Sequence, residues 1–276
     1  MQPIRSAAGR LVNTLLRPFK LRLQPYHPAT ARKVHFWRYE NVLRELHDLL
    51  VQTAFPGLPE TEGRLELLGQ LEGQSVVEAM WILHILHRAL ATPGDVCEFG
   101  CASGATSALI ANEMRGHEKL LWLFDSFQGL PQPSPQDRLL DDVLGLGHIE
   151  RYQGRMAFSA DSVRDRLNRI AFPAARTRIV AGFIEETVRS SPLPDQVCFA
   201  LVDFDFYEPV KTALHCLSER VPPGGQVIVD DYGYFSTGAR NAVDEFAAAH
   251  AGRFELQVPP EWAGRFAILR RIPANT

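Results

Sequence analysis

A doubly wound α/β fold, with helices on both faces of a mostly parallel seven-stranded sheet, is what this sequence predicts. Two observations carry it. From about residue 95 short apolar strands alternate with amphipathic helices, the pattern of a parallel sheet built from strand–helix units. Acidic residues and glycines then recur immediately after those strands, at the edge where open α/β sheets bind ligands. Composition permits such a fold: 276 residues with 46% hydrophobic and 22% charged side chains supply a large core and exclude wholesale disorder.

Residues 1–72 read as a helical N-terminal extension and 73–276 as the α/β domain. In the extension Val12, Leu15, Leu16 and Phe19 share one helical face, and Pro25, Pro28, Pro56 and Pro59 cut it into segments. Ser75-Val-Val-Glu78 is a capping box that opens a helix running to about Ala89. Trp81, Ile82, Ile85 and Leu86 make that helix apolar, His84 and His87 on it read as packed or solvated, and Pro93-Gly94 ends it. Strands are then expected at Val96–Gly100, Leu120–Asp125, Arg178–Gly182, Val197–Asp205, Gln226–Asp231, Phe254–Val258 and Arg265–Arg271. The expected helices between them are Ala105–Arg115, Ser162–Ile170, Pro209–Arg220 and Ala239–Ala249. In the third of these Val210, Ala213, Leu214 and Leu217 form one face, with Pro209 in the first turn. One connection is long: Ser126 to Arg176, rich in Pro and Gly, as lids and substrate loops often are.

The totals also exclude functions. A net charge of −3 argues against a general nucleic-acid binder. The charge is uneven, because Arg5, Arg10, Arg17, Lys20, Arg22, Arg32, Lys33 and Arg38 precede the first acid. That basic segment suits a lid, a subunit contact, or a peripheral contact with an anionic membrane or partner; in composition it also resembles a transit peptide. A homo-oligomer is expected. No apolar run approaches the ~18 residues of a membrane span, and the N-terminus lacks the apolar core of a secretory signal. Cys97, Cys101, Cys198 and Cys216 form no CxxC pair, so structural thiols in a reducing cytoplasm are expected, with neither zinc nor disulfides.

The chemistry concentrates at four strand ends. Phe199–Pro209, FALVDFDFYEP, runs an apolar strand into Asp203, Asp205 and Glu208, a costly arrangement unless a cation or hydrogen bonds compensate. Capping of the following helix is the plainer use for Asp205 and Glu208. Glu98-Phe-Gly100-Cys-Ala-Ser-Gly104 is a Gly-x-x-x-Gly turn into a helix, where a ligand can approach backbone N–H groups. It has neither dinucleotide-fingerprint nor phosphate-loop spacing. Asp125, after the second strand, is placed either to accept both hydroxyls of a ribose or to cap Ser126–Gln128. Asp230 and Asp231 follow Val-Ile-Val. Carboxylates converging there make a hard-oxygen site suited to Mg²⁺, unless Lys211 or Arg240 neutralises them.

Glu98-Phe-Gly100…Gly104, Asp125-Ser-Phe-Gln-Gly-Leu-Pro131, Val202-Asp-Phe-Asp-Phe-Tyr-Glu208, Pro223-Gly-Gly-Gln-Val-Ile-Val-Asp-Asp-Tyr232 and Arg240–Phe246 together resemble the macrocin O-methyltransferase family. The likeness covers about Ser75 to Phe246. It implies a Rossmann-like class I methyltransferase fold and a Mg²⁺-assisted O-methyltransferase that uses S-adenosylmethionine on a hydroxyl of a sugar or glycosylated small molecule. It also implies residue roles. Glu98, Gly100, Cys101, Ala102, Gly104 and Ser107 would hold the methionine part of the cofactor, Asp125 and Ser126 the ribose, and Gly182 and Phe183 the adenine. Asp203 would border cofactor and metal, Asp203, Asp230 and Asp231 would bind Mg²⁺, and Asp205 would be the general base, with His148 as a rival. Phe204 departs from the family pattern, where Gly is frequent, and would narrow the acceptor pocket or pack inward. Two other readings stand beside this one. A catechol-type O-methyltransferase would use Phe204, Phe206 and Tyr207 as walls for a flat acceptor. A non-catalytic cofactor-binding scaffold would work through the basic arm.

Overall fold

The structure, a computed structural model, describes residues 28–273. The basic residues Arg5 to Arg22 and the apolar face Val12–Phe19 lie outside the described residues. The chain divides between Glu45 and Leu46 into two compact units; the described part of the first is the start of helix α1 (Pro28–Thr53). Residues 54–72, read from sequence as part of the extension, belong to the second unit.

In that unit α2 (Arg64–Leu68) and α3 (Val76–Ala89) precede strand β1 (Asp95–Phe99) and α4 (Ala105–Glu113). Then come β2 (Leu121–Asp125), α5 (Ala160–Arg169), β3 (Thr177–Ala181), α6 (Ile184–Ser190), β4 (Val197–Val202) and α7 (Tyr207–Ser218). The unit ends with β5 (Gln226–Val229), α8 (Gly238–Ala249), β6 (Phe254–Gln257) and β7 (Ala267–Arg271). The seven strands order as β3-β2-β1-β4-β5-β7-β6. The first five are parallel, and β7 inserts antiparallel between β5 and β6. Among the described residues no helix is long and apolar enough to cross a membrane. The four cysteines are buried free thiols.

Period-two alternation builds the layers. Cys97 and Phe99, Trp122 and Phe124, and Val227 and Val229 face the core under α7 and α8, which contribute Val210, Leu214, Leu217, Val243 and Phe246. The rings of Phe99 and Phe124 stack at 4.6 Å. Glu98 falls on the opposite face, where α4 covers it. All six residues of β4 are buried, and each large apolar side chain contributes about 1.5–3 kcal/mol, enough to anchor the acidic turn that follows.

Three differences from the sequence expectation have physical causes. Strands β4 and β5 stop at Val202 and Val229, not at Asp205 and Asp231. Both aspartates sit in the left-handed region, φ +62° and +56°, which ends extended structure. Helix α6 has no counterpart in the sequence reading, because it spans seven residues and buries only Ile184 and Thr187, too little for a periodic signal. The connection 126–176 is far from structureless. Asp137, buried within it, accepts hydrogen bonds from Ser134 N and Oγ at 2.7 Å and from Tyr207 N, the first residue of α7, at 2.8 Å. A Cβ on Gly238 would overlap that carboxylate. Leu130, Ile149, Tyr152, Phe206 and Phe235 form a second small core beneath the loop.

Candidate active site at the switch point

Strand order reverses between β1 and β4, so the crevice beyond their carboxyl ends is the expected ligand site. Register decides what stands there. Phe99 is level with Phe124 and Val202, and Val202 with Val229. The next residue of each strand therefore falls in one row: Asp125, Gly100, Asp203, Asp230. Backbone bonds continue the ladder through it, Gly100 N to Phe124 O at 2.7 Å, Asp203 N to Phe99 O at 2.7 Å and Asp230 N to Val202 O at 2.8 Å. A cleft of about 480 Å³ opens above this row.

On the β1–β2 side the protein satisfies its own polar groups. A Cβ on Gly100 (φ +90°) would overlap the Asp203 carbonyl, and one on Gly104 (φ +82°) would lie 2.9 Å from Val163 Cα. Close chain packing thus requires both glycines. Gly104 caps α4 without a side chain, leaving the first N–H groups of the helix without a side-chain partner. Ala102, at φ +42°, donates its N–H to Asp125 Oδ2 at 2.9 Å, and Phe127 donates to Oδ1 at 2.7 Å. Asp125 therefore ties two loops together as well as lining the cleft. Burial raises its carboxyl although these N–H groups oppose the shift. Burial likewise pushes Glu98 up to about 8, against the hydrogen bond it accepts from Ser107. Cys101 and Phe183 line the cleft, as does Ser126, whose hydroxyl donates to Gly129 O. Gly104, Ser107 and Gly182 do not line it.

On the β4–β5 side the charges are left open. Asp203, Asp205 and Asp231 each bring a carboxylate oxygen within 4.8 Å of the others. Burial, then the neighbouring acids, pushes Asp205 up to about 8 and Asp203 and Asp231 well above the usual carboxylate range. Among the described residues none of the three forms an ion pair. Lys211 instead lies 3.6 Å from Glu245 and donates to the Tyr207 hydroxyl, and Arg240 lies 3.5 Å from Asp244, so the neutralising role considered for them is overturned. Asp230 stands apart from the trio: its Oδ2 accepts from Gln74 Nε2 at 3.2 Å and its Oδ1 from Asp231 N at 2.9 Å. Asp205 and Asp231 hydrogen-bond each other, and an all-oxygen, hard donor set with no basic partner fits Mg²⁺. A cleft with helix N–H groups at one end and Asp125 beside them fits a nucleoside joined to an amino acid.

The sequence reading missed two groups. Glu78 supplies the backbone N–H that Ser75 Oγ accepts at 3.1 Å, and its carboxyl takes the Ser75 backbone N–H in return, completing the capping box. It faces Asp230, and burial and that neighbour push it up to about 10. Glu72, Gly73 and Gln74 line the cleft: Glu72 accepts from Ser103 Oγ and Arg166 at 2.6 Å each, and Gln74 Oε1 accepts from Thr106 Oγ1 at 3.1 Å. Nothing in Glu72-Gly-Gln74 beyond a turn signal could have announced this strap. Phe204 does both things considered for it, packing edge-on to Phe99 at 6.0 Å and lining the cleft. Phe206 instead stacks on Phe235 at 5.8 Å, and the Tyr207 hydroxyl bonds Glu245 at 2.7 Å. Neither lines the cleft, so the flat-acceptor reading loses two of its three walls. His148 is exposed and lies outside the cleft lining. Glu208 is exposed in the first turn of α7.

Residues 82–258 match the family described as macrocin O-methyltransferase (TylF). The chain belongs to that family. It is an O-methyltransferase, and its relatives act on sugars or glycosylated natural products. It is 28% identical over 244 residues to the 8-demethyl-8-(2,3-dimethoxy-alpha-L-rhamnosyl)-tetracenomycin-C 4'-O-methyltransferase of Streptomyces olivaceus, covering 83% of this chain and 88% of that one. It is 30% identical over 159 residues to demethyldecarbamoylnovobiocin O-methyltransferase of Streptomyces niveus, 56% of this chain and 59% of that one. Among solved structures the O-methyltransferase NovP superposes with a TM-score of 0.61 at 25% identity, over 72% of this chain and 81% of that one. The calicheamicin methyltransferase CalS11, TM-score 0.57 at 20% identity, covers 90% and 94% and shares the fold.

Proposed function

We propose that this macrocin-family enzyme moves a methyl group from S-adenosylmethionine to a sugar hydroxyl with the help of a divalent cation, Mg²⁺. The trio Asp203, Asp205 and Asp231, oxygens within 4.8 Å of one another and without a basic partner among the described residues, carries the reading. Asp203 and Asp231 are the proposed ligands, with Asp230 next to them in the strand-end row. When bound, Mg²⁺ supplies positive charge that favours the ionised form of a sugar hydroxyl and of the acids beside it.

This chain's own residues do the positioning. The N–H groups at the start of α4 would receive the methionine carboxylate, Asp125 the ribose hydroxyls, and Phe183 the adenine face, with Glu98 and Ser107 bracing the loop from beneath. Asp205 is the proposed base. Its backbone is fixed by the hydrogen bond from Ser236 Oγ to its carbonyl at 2.9 Å, and its left-handed φ turns it back into the cleft. Such a conformation, held at a site by surrounding structure, is a form of pre-organisation. The tetracenomycin relative acts on a rhamnosyl group, which makes L-rhamnose derivatives the natural first acceptors to try. Calorimetric titration with S-adenosylmethionine, followed by methyl-transfer assays with and without EDTA, tests the reading. Absence of cofactor binding ends it, and full activity in EDTA removes the metal from it.

A further inference from the structure

The strap Glu72-Gly-Gln74 lines the cleft, and the methyl-transfer reading leaves it unused. It crosses the start of α4 and is tied there at two points. Glu72 Oε2 accepts from Ser103 Oγ at 2.6 Å, in the turn before the helix. Gln74 Oε1 accepts from Thr106 Oγ1 at 3.1 Å, in the first turn of the helix. Gly73, at φ +83°, bends the chain between them. Arg166 of α5 holds the other oxygen of Glu72 at 2.6 Å. The Glu72 carboxylate is therefore fixed beside the turn whose helix begins without a side-chain cap, and a ligand meeting it there has little to order.

Charge identifies the occupant. An α-amino acid is a zwitterion, so a site for the methionine part needs an anion as well as N–H donors. Eight carboxyl residues line the cleft and, among the described residues, no Lys, Arg or His. Seven of the eight are placed or engaged elsewhere. Asp203, Asp205, Asp230 and Asp231 stand beyond β4 and β5. Both oxygens of Asp125 accept backbone N–H groups. Burial pushes Glu98 up to about 8, so it is largely protonated at neutral pH, and Glu185 belongs to the first turn of α6, past β3. Glu72 remains. The Ser103 hydroxyl foremost, with Arg166 helping, holds its carboxyl below the ordinary value against a cost of burial, so it is ionised. Its two oxygens offer about four acceptor positions, room for Ser103, Arg166 and an ammonium together.

We propose that Glu72 receives the α-ammonium of S-adenosylmethionine, while the N–H groups at the start of α4 take the carboxylate of the same amino acid. This proposal rests on the methyl-transfer reading above and adds to its cofactor site a residue outside the strand-end row. The contact is a charge-assisted hydrogen bond, stronger than one between neutral groups. Glu72 is then a determinant of cofactor selectivity, favouring nucleosides that carry the amino acid over those that lack it.

Calorimetry on the full-length protein with Mg²⁺ tests this without turnover, using three ligands. They are S-adenosylmethionine, S-adenosylhomocysteine and methylthioadenosine, which keeps the nucleoside and the sulfur but lacks the amino acid. Glu72→Gln should weaken binding of the first two about tenfold and leave the third unchanged. The Glu72 side chain is 54% exposed, so the variant does not threaten folding, and unaltered binding of methylthioadenosine checks that it has folded. A second variant separates the carboxylate from its ion pair. Arg166→Gln keeps the carboxylate and should hold the affinity for S-adenosylhomocysteine within about threefold of wild type. Equal loss for all three ligands, loss for none, or the same loss in Arg166→Gln as in Glu72→Gln overturns the role of Glu72 and leaves methyl transfer standing. Failure of the wild type to bind either S-adenosyl ligand overturns the cofactor reading and this proposal with it.

Discussion

The two halves of the strand-end row handle buried charge in opposite ways. Beneath β1 and β2, Glu98 takes the Ser107 hydroxyl and Asp125 takes two backbone N–H groups; the protein completes these sites itself. Beyond β4 and β5, Asp203, Asp205 and Asp231 crowd together with no cation among the described residues. Buried like charges of this kind hold protons or await a cation. One half is finished by folding, and the proposed cation would finish the other.

Breaking the open half should have the largest effect. Asp203→Asn removes a proposed ligand and should lower kcat by about 10⁴-fold, several kcal/mol of charge stabilisation, measured as methyl transfer at saturating cofactor. Asp205→Asn, which keeps shape and removes the base, should lower kcat by about 10²–10³-fold, with KM for the cofactor unmoved. In the finished half the loss should appear in binding: Asp125→Ala should weaken cofactor affinity about tenfold, read by calorimetry, while kcat at saturation changes little.

The smallest effect is on stability, and its sign separates the halves from ordinary surface acids. Burial raises the folded-state pKa of Asp205 and Glu98 to about 8, above the ~4 of unfolded carboxyls. Between those values the folded state holds more protons, so stability falls as pH rises across that window. Without divalent cations Tm should therefore decline by a few degrees from about pH 5 to pH 8. Mg²⁺ should restore it at pH 8, and Glu98→Gln should flatten the slope without abolishing the Mg²⁺ effect. Glu113 behaves oppositely. Burial alone would raise it, but Arg64 and His87 overcome that and hold it low, so its contribution is present above about pH 4.5 and lost on acidification below it.

Much of this was legible in the chain. Strand–helix alternation located every strand, because apolar runs such as Val197–Val202 and Gln226–Val229 need no tertiary knowledge. The acids after them were visible for the same reason. What could not be read was orientation. Asp205 rather than Asp230 joins the trio because two residues adopt left-handed backbone, a property that aspartate permits without announcing it. Glu78 was hidden by its own local motif, since a capping box explains a glutamate without looking 150 residues ahead. Gln74 touches Thr106 and Asp230 at once, a contact only folding reveals.

Asp137 carries a consequence for motion. A single buried carboxylate joins the turn at Ser134, the first amide of α7 and the closely packed Gly238. The flanking backbone is cross-stitched, Thr237 N to Arg138 O at 3.0 Å and Leu140 N to Phe235 O at 2.9 Å. Segments 134–141, 205–207 and 235–238 are thus clasped at one point, and they cannot loosen independently. In native-state hydrogen exchange the amides of Ser134, Leu140, Tyr207 and Thr237 should share one opening free energy, so that the turn at Ser134, the proposed base and the start of α8 are released together as one foldon.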